Sequence, residues 1–196
     1  MQFGFPELVL FQEGPGILAA DFHERGIPLV RLSGLSKNIV TLDGCNFLDP
    51  DKVKSKWSHF RLEAGDLLVS CSASFGRPSV VTELAVGAVF YTGLIRFSPK
   101  ANKLIRSFLN IFLGSPAFLK QAESFAVGGG IKHFGPTHLR QMKMKLPNVV
   151  EQQKIADCLS ALDDQISAQT EQIEALQQHK QGLMQQLFPN PDLKAP

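Results

Sequence analysis

"EQQKIADCLSALDDQISAQTEQIEALQQHKQGLMQQLF" occupies residues 151–188, and its reading decides the architecture. Apolar side chains fall at Ile155, Leu159, Leu162, Ile166, Ile173, Leu176, Leu183 and Leu187. With Gln169 and Lys180 counted as members, the intervals alternate four and three. That period of about 3.5 residues is the seam of a coiled coil, not the broader stripe of a helix lying on a globular core. Asn148 stands at the N-cap position with Glu151 three residues on, as in a capping box, and Pro189 and Pro191 end the run. At about 1.5 Å per residue the helix reaches roughly 55 Å, the length of on the order of 16 base pairs of B-DNA. One helix cannot bury so narrow a seam by itself, so a partner helix is expected. Gln169 lies at the midpoint of 151–187. In an antiparallel pair of copies the two Gln169 amides come together near the two-fold axis, and a polar seam residue sets register at a cost in stability.

The sequence before the helix reads as a globular domain. "IPLVRLS" (27–33), "DLLVSCS" (66–72) and "AVFYTGLIRF" (88–97) have the β-branched and aromatic content of strands, and Gly14–Pro15–Gly16, Gly26, Gly34, Asp43–Gly44, Gly65–Asp66 and Gly76 punctuate them with turns. In "ANKLIRSFLNIFL" a helix would place Leu104, Phe108, Ile111 and Phe112 on one face. Ser115–Pro116 starts a second helix, and "MKMKLP" is strand-like.

Charge separates the two parts. Residues 1–150 hold 17 Lys/Arg against 11 Asp/Glu, whereas residues 151–188 hold 2 against 6. Eight basic residues between 100 and 145 face the single acid Glu123. A basic domain of this kind suits a polyphosphate partner, because Lys and Arg release counterions when they meet phosphates. The acidic part is the rod. No run of about eighteen apolar residues suggests a membrane span. "MQFGFPELVL" lacks the basic-then-apolar order of a secretory signal. Cys45, Cys71 and Cys158 are odd in number and widely spaced, which fits a reducing cytoplasm better than a disulfide framework or a zinc site.

Catalytic signatures are missing from the sequence. There is no GxxxxGK[ST] loop, no HExxH, no His/Cys cluster at metal spacing and no Asn/Asp-Pro-Pro-aromatic motif, and "GGG" at 128–130 does not open a helix. Asp163 and Asp164 are neighbours on a helix and point apart. The residues that suit DNA lie in loops. "GDLLVSCSASFGRPSVV" (65–81) ends a strand in a Ser-rich loop holding Ser72, Ser74 and Arg77; small hydroxyls allow close approach, and Arg can fork to guanine or clamp a phosphate. "GGGIKHFG" (128–135) offers Lys132 and His133. "GLSKN" (34–38) offers Lys37 and Asn38, and Asn can pair with adenine. In "DKVKSKW" (51–57), Lys52, Lys54 and Lys56 alternate and would form a phosphate-facing ridge if extended, while Trp57 suits a core. Each of these stretches also has a plain reading, as a hairpin, a connector or a solvated face.

With those residues in hand, the chain resembles the specificity (S) subunit of type I restriction–modification systems. The match is carried by Pro147, Glu151, Gln152, Ile155, Ala156, Leu159, Leu162 and Asp163, which fit the family's Pro-x-x-x-Glu-Gln-x-x-Ile-Ala-x-x-Leu-x-x-Leu-Asp opening of a spacer helix. "GIPLVRLSGL", "LEAGDLLVSCSASFGR" and "GGGIKHFGPTHLRQMKMKLP" are similar to its target recognition domain.

The resemblance implies an α+β chain. Residues 1–147 would form a target recognition domain with a mixed, twisted β-sheet and short helices; residues 148–188 would form one long coiled-coil helix, and 189–196 a tail. It implies a non-catalytic subunit that enters the major groove of double-stranded DNA and reads half of a bipartite site. The helix would dock methyltransferase (modification) subunits, which bind S-adenosylmethionine and flip the target adenine; a separate endonuclease/translocase subunit cuts. Family members usually carry two recognition domains and two helices, whereas this chain resembles a half-subunit. A homodimer through antiparallel helices would rebuild the usual architecture and imply a palindromic, interrupted site. The chain starts without the family's usual leading segment, as a truncated form would. Two other readings stay open: a recognition fragment of a fused restriction–methylation enzyme, and a structural coiled-coil protein with no DNA role.

Overall fold

The computed structural model describes residues 1–36, 38–71, 78–100, 102–125 and 134–188, Ser36 by its backbone alone. The chain divides into two compact units, Met1–Gln153 and the residues from Lys154 onward. The first unit runs β1 (Gln2–Gly4), α1 (Phe5–Leu8), β2 (Val9–Glu13), β3 (Ile27–Val30), β4 (Leu35–Ser36), β5 (Ile39–Val40) and β6 (Asn46–Leu48). It continues through α2 (Pro50–Lys52), β7 (Leu67–Ser70), β8 (Ser79–Val80), β9 (Val89–Phe90) and β10 (Leu94–Pro99). Then come α3 (Arg106–Leu113), α4 (Pro116–Phe125), α5 (Pro136–Leu139) and β11 (Lys143–Lys145). The long helix α6 (Val149–Leu187) starts in this unit and supplies the second.

Three sheets organise the first unit. The largest has the order β2-β10-β7-β8-β5-β4, a second is β6-β3-β9, and a third pairs β1 with β11. Most neighbours are antiparallel, but β5–β8 and β3–β9 are parallel, so the sheets are mixed as expected. Strand β7 sits inside the large sheet, and all four of its residues are buried, which explains the continuous apolar run Leu67–Leu68–Val69 in place of alternation. The β1–β11 pair joins the start of the domain to the approach to α6, and Leu146 N donates to Met1 O at 2.9 Å.

Aromatic side chains fill much of the core. Phe5 is fully buried and its ring lies about 6 Å from those of Phe11, Phe97, Phe112 and Phe118, in mostly tilted or edge-on pairs. Val30, Leu68, Phe90 and Leu94 pack in one cluster drawn from both larger sheets, and Leu29, Leu48, Val53 and Val89 in another on the smaller of the two. Trp57 is half-buried against the second cluster, in line with a core role.

Three local expectations change. The helix in 101–113 begins only at Arg106, so Leu104 is buried ahead of it and the inward face is Phe108, Leu109, Phe112 and Leu113, with Ile111 only partly covered. Second, "DKVKSKW" is not extended. Asp49 caps α2 by accepting from Lys52 N at 2.8 Å, and Val53–Trp57 continues as a wider π-type turn. Lys52, Lys54 and Lys56 therefore do not line up as a strand ridge. Lys52 instead pairs with Asp21 and lies 5.7 Å from the Trp57 ring centre. Third, "AVFYTGLIRF" is two strands, β9 and β10, separated by a turn at Tyr91–Gly93.

Helix starts follow the sequence more closely. Ser115 Oγ accepts from Phe118 N at 3.3 Å ahead of α4, and Asn148 Oδ1 accepts from Glu151 N at 2.9 Å ahead of α6. In the second unit, α6 runs unbroken to Leu187. Along it Leu162, Ile166, Ile173 and Leu176 are 50–60% exposed, so the seam is left uncovered among the described residues.

Candidate nucleic-acid interface

The loops named as DNA-facing are anchored at one end of the large sheet. Strand β7 ends at Ser70, and the next residue, Cys71, closes the described chain before 72–77. Cys71 O accepts from Phe134 N at 3.3 Å, and Phe134 is the first described residue after 126–133. On the far side of 72–77, Val80 N donates to Asn38 O at 2.9 Å, and Asn38 follows Lys37 in the turn between β4 and β5. Because β5 and β8 run parallel, with Ile39 opposite Val80, their N-terminal ends lie together. The flanking residues of all three stretches thus converge. Lys37, Ser72, Ser74, Arg77, Lys132 and His133 themselves lie outside the described residues.

Each anchor has a physical cause. Asn38 adopts φ 62°, the left-handed region, which Asn tolerates better than most residues because its short polar side chain can bond locally. It is exposed and makes the turn that brings β4 back on β5. The stretch 126–133 is flanked by Phe125 and Phe134, and both rings lie 5.8 Å from His138, Phe134 in a stacked geometry. His138 Nδ1 also accepts from Gly135 N at 3.2 Å and so starts α5. At Gly14, which donates to Leu94 O at 2.9 Å, a Cβ would stand 2.2 Å from Tyr91 O. Only glycine lets β2 come this close to the Tyr91–Gly93 turn.

The same end of the domain carries a further polar group that strand patterning did not reveal. Arg31 follows β3; Val30 O accepts from Tyr91 N at 3.0 Å, and Gly93 O accepts from Cys71 N at 2.9 Å, so Arg31 stands beside the loop anchors. Its guanidinium lies 5.1 Å from the Tyr91 ring centre and 5.8 Å from that of Phe22, and Nη1 donates to Asn46 Oδ1 at 2.7 Å. Tyr91 is fixed in turn by its hydroxyl, which donates to Ile17 O at 3.2 Å.

Part of the positive charge is spent on the fold. Arg61 Nε donates to Gly87 O at 3.0 Å and Arg106 Nη1 to Ala64 O at 2.7 Å. Arg96 holds Arg61 O, His59 O and Gln12 Oε1, and lies 3.5 Å from Asp66. Arg25, Lys54, Lys56, Lys100, Lys103, Lys120, Arg140, Lys143 and Lys145 are exposed and contribute to the outward charge of the described domain. Burial, with Glu13 adding to it, pushes the Cys71 thiol up to about 11, so it stays protonated and unreactive at neutral pH. Among the described residues no cluster of His, Cys, Asp and Glu could hold a metal, and no helix is long and apolar enough to cross a membrane.

Gln152 is the second residue whose role the sequence did not disclose. It is fully buried; Oε1 accepts from Ile105 N at 3.0 Å, and Nε2 donates to Lys103 O at 2.7 Å and Pro147 O at 3.0 Å. Ile105 is the N-cap of α3 and has no side chain able to cap, so Gln152 serves the backbone there. Its place in a Glu-Gln pair at a helix start was the one available signal.

Residues 49–178 match the type I restriction modification DNA specificity domain, about two thirds of the chain, and the chain belongs to that family. It is 23% identical over 190 residues to the type I restriction enzyme MjaVIII specificity subunit of Methanocaldococcus jannaschii, covering 93% of this chain and 44% of that protein. The crystal structure of the HsdS subunit from Thermoanaerobacter tengcongensis superposes with a TM-score of 0.62 at 18% identity, over 86% of this chain and 38% of that one. The S subunit of a type I restriction-modification system from M. genitalium gives 0.61 at 16% identity, over 98% and 46%. The chain thus spans less than half the length of the relatives it matches.

Proposed function

We propose that this chain is a non-catalytic, DNA-reading specificity component. Its first unit reads one half of a bipartite site, and α6 joins that unit to a partner and to modification subunits. The convergence of the residues flanking 72–77, 126–133 and Lys37 at one sheet end supports the reading, because these described flanks of the candidate DNA-facing stretches come together there. The outward lysines supply the sequence-independent attraction, and the loops supply base contacts. Asn38, Lys54 and Lys56 remain candidates for phosphate or base contact, as do Lys37, Ser72, Ser74, Arg77, Lys132 and His133.

The exposed seam supports the assembly. Leu159, Leu162, Ile166, Gln169, Ile173, Leu176, Leu183 and Leu187 would be covered by the antiparallel helix of a second copy, with Ile155 at the margin. S-adenosylmethionine belongs on the modification subunit, adenine is the base flipped there, and a separate endonuclease/translocase subunit cuts; the assembly works in the cytoplasm. A second reading, a recognition segment of a longer fused enzyme, is favoured by one observation: the chain spans less than half of its relatives. The full reading frame and its genomic neighbours decide between the two.

Gel shifts of the chain with its modification subunits, on a pool of random duplexes across a salt series, test the assignment. The expected result is a sequence-selective complex whose log affinity falls with log salt at a slope of about −0.9 per phosphate neutralised. Salt-insensitive binding, or none with the modification subunits present, would overturn it.

A further inference from the structure

The geometry points to Arg31 as a base-reading residue: a partly exposed guanidinium, held by an amide and two rings at the sheet end where the loop anchors meet, that would fork onto the paired acceptors O6 and N7 of a guanine. The inference rests on the DNA-reading assignment and adds to it the residue and the kind of base.

Four observations carry it. Arg31 is partly exposed, and the described residues offer its guanidinium no carboxylate partner. It packs on an edge-to-face pair of rings, Tyr91 at 5.1 Å and Phe22 at 5.8 Å, which attract the group by cation–π interaction. Asn46 Oδ1 takes Nη1 at 2.7 Å and so fixes rotation of the fork while leaving other N–H donors to point elsewhere. Lastly, the hydrogen bonds Tyr91 N to Val30 O and Cys71 N to Gly93 O set it against the roots of the candidate loops. Arg61, Arg96 and Arg106 differ in that each donates to backbone carbonyls of its own domain. A guanidinium seated on two rings and tied to an amide gives up the freedom that a phosphate-tracking side chain keeps. In exchange it gains the fixed orientation that bidentate base contact requires.

Selection from random duplexes by the complex with its modification subunits tests this, using wild type, Arg31→Lys and Asn46→Ala, with a thermal melt of each. Wild type should select a guanine at one position of each half-site. Arg31→Lys keeps the charge and loses the fork; it should lose preference at that one base pair and bind the wild-type site on the order of tenfold more weakly or worse. Asn46→Ala leaves Arg31 present but less fixed, and should show a smaller loss at the same base pair. An unchanged selected sequence in Arg31→Lys, whatever its melting temperature, overturns the inference and leaves the DNA-reading assignment standing. So does uniform weakening across all sequences with a shallower salt slope, the mark of a phosphate contact. A wild type that selects no sequence overturns the assignment and this inference with it.

Discussion

Replacing Gln152 by Leu keeps the side chain's bulk and removes its polar end. Three hydrogen bonds go, to Ile105 N, Lys103 O and Pro147 O, at 3.0, 2.7 and 3.0 Å. Each is worth about 1 kcal/mol net, rising toward about 1–3 kcal/mol only where the backbone group left unpaired is fully buried, and these three are partly buried. Lys103 is exposed, so water can reach part of that group. The expected loss is therefore about 3–4 kcal/mol, a large share of the roughly 5–15 kcal/mol that holds a domain folded. In urea, at a slope of about 2 kcal/mol per M, the midpoint should fall by about 1.5–2 M. Gln152→Glu sharpens the test. A carboxylate still accepts from Ile105 N, but it turns acceptors toward two carbonyls. Its folded pKa must therefore rise above the unfolded value, and the variant should be most stable in acid and weaken as pH rises through the folded value. A loss under about 1 kcal/mol for Gln152→Leu, or a Gln152→Glu variant indifferent to pH, would refute the role given to this side chain.

Gly14→Ala should cost about 1–3 kcal/mol or more in thermal or urea unfolding, since its Cβ would stand 2.2 Å from Tyr91 O and backbone must shift. Iodoacetamide at pH 8 should label exposed Cys158 quickly and spare buried Cys71. The Cys71 thiol is raised to about 11, so its contribution to stability is complete below pH 9 and is lost as pH climbs toward 11. Relative to Cys71→Ala, wild type should lose at most about 2–3 kcal/mol across that window. Ile166→Lys should reduce the mass seen by light scattering from about 43 kDa, twice the 21.5 kDa of one chain, to that of a monomer. Gln169→Leu should keep an assembly but change its register or copy number.

The long helix was legible because apolar residues recur at helical spacing from Ile155 to Leu187, and its Asn148 cap is local chemistry. The Ser115–Pro116 start was legible for the same reason. What failed were inferences that needed tertiary context. The lysines at 52, 54 and 56 alternate like a strand, but Asp49 and Pro50 start a helix there, and Asp21, thirty-one residues away, claims Lys52. Leu104 is apolar and buried, yet the helix begins two residues later, where Gln152 reaches Ile105 from far along the chain. Arg31 looked like an ordinary polar strand residue, because the rings and amide that hold it come from residues 22, 46 and 91. Loop composition pointed to the candidate surface, and the parallel β5–β8 pairing, invisible to any local pattern, brought its anchors together.

Hydroxyl-radical footprinting of the complex with modification subunits, on a duplex it has selected, reaches the central claim most directly. Two basic reading units joined through their helices should leave two protected half-sites of inverted sequence, flanking a spacer whose bases can be changed without loss of binding. A single continuous protected tract with no inverted repeat, or no protection at all, would contradict the account.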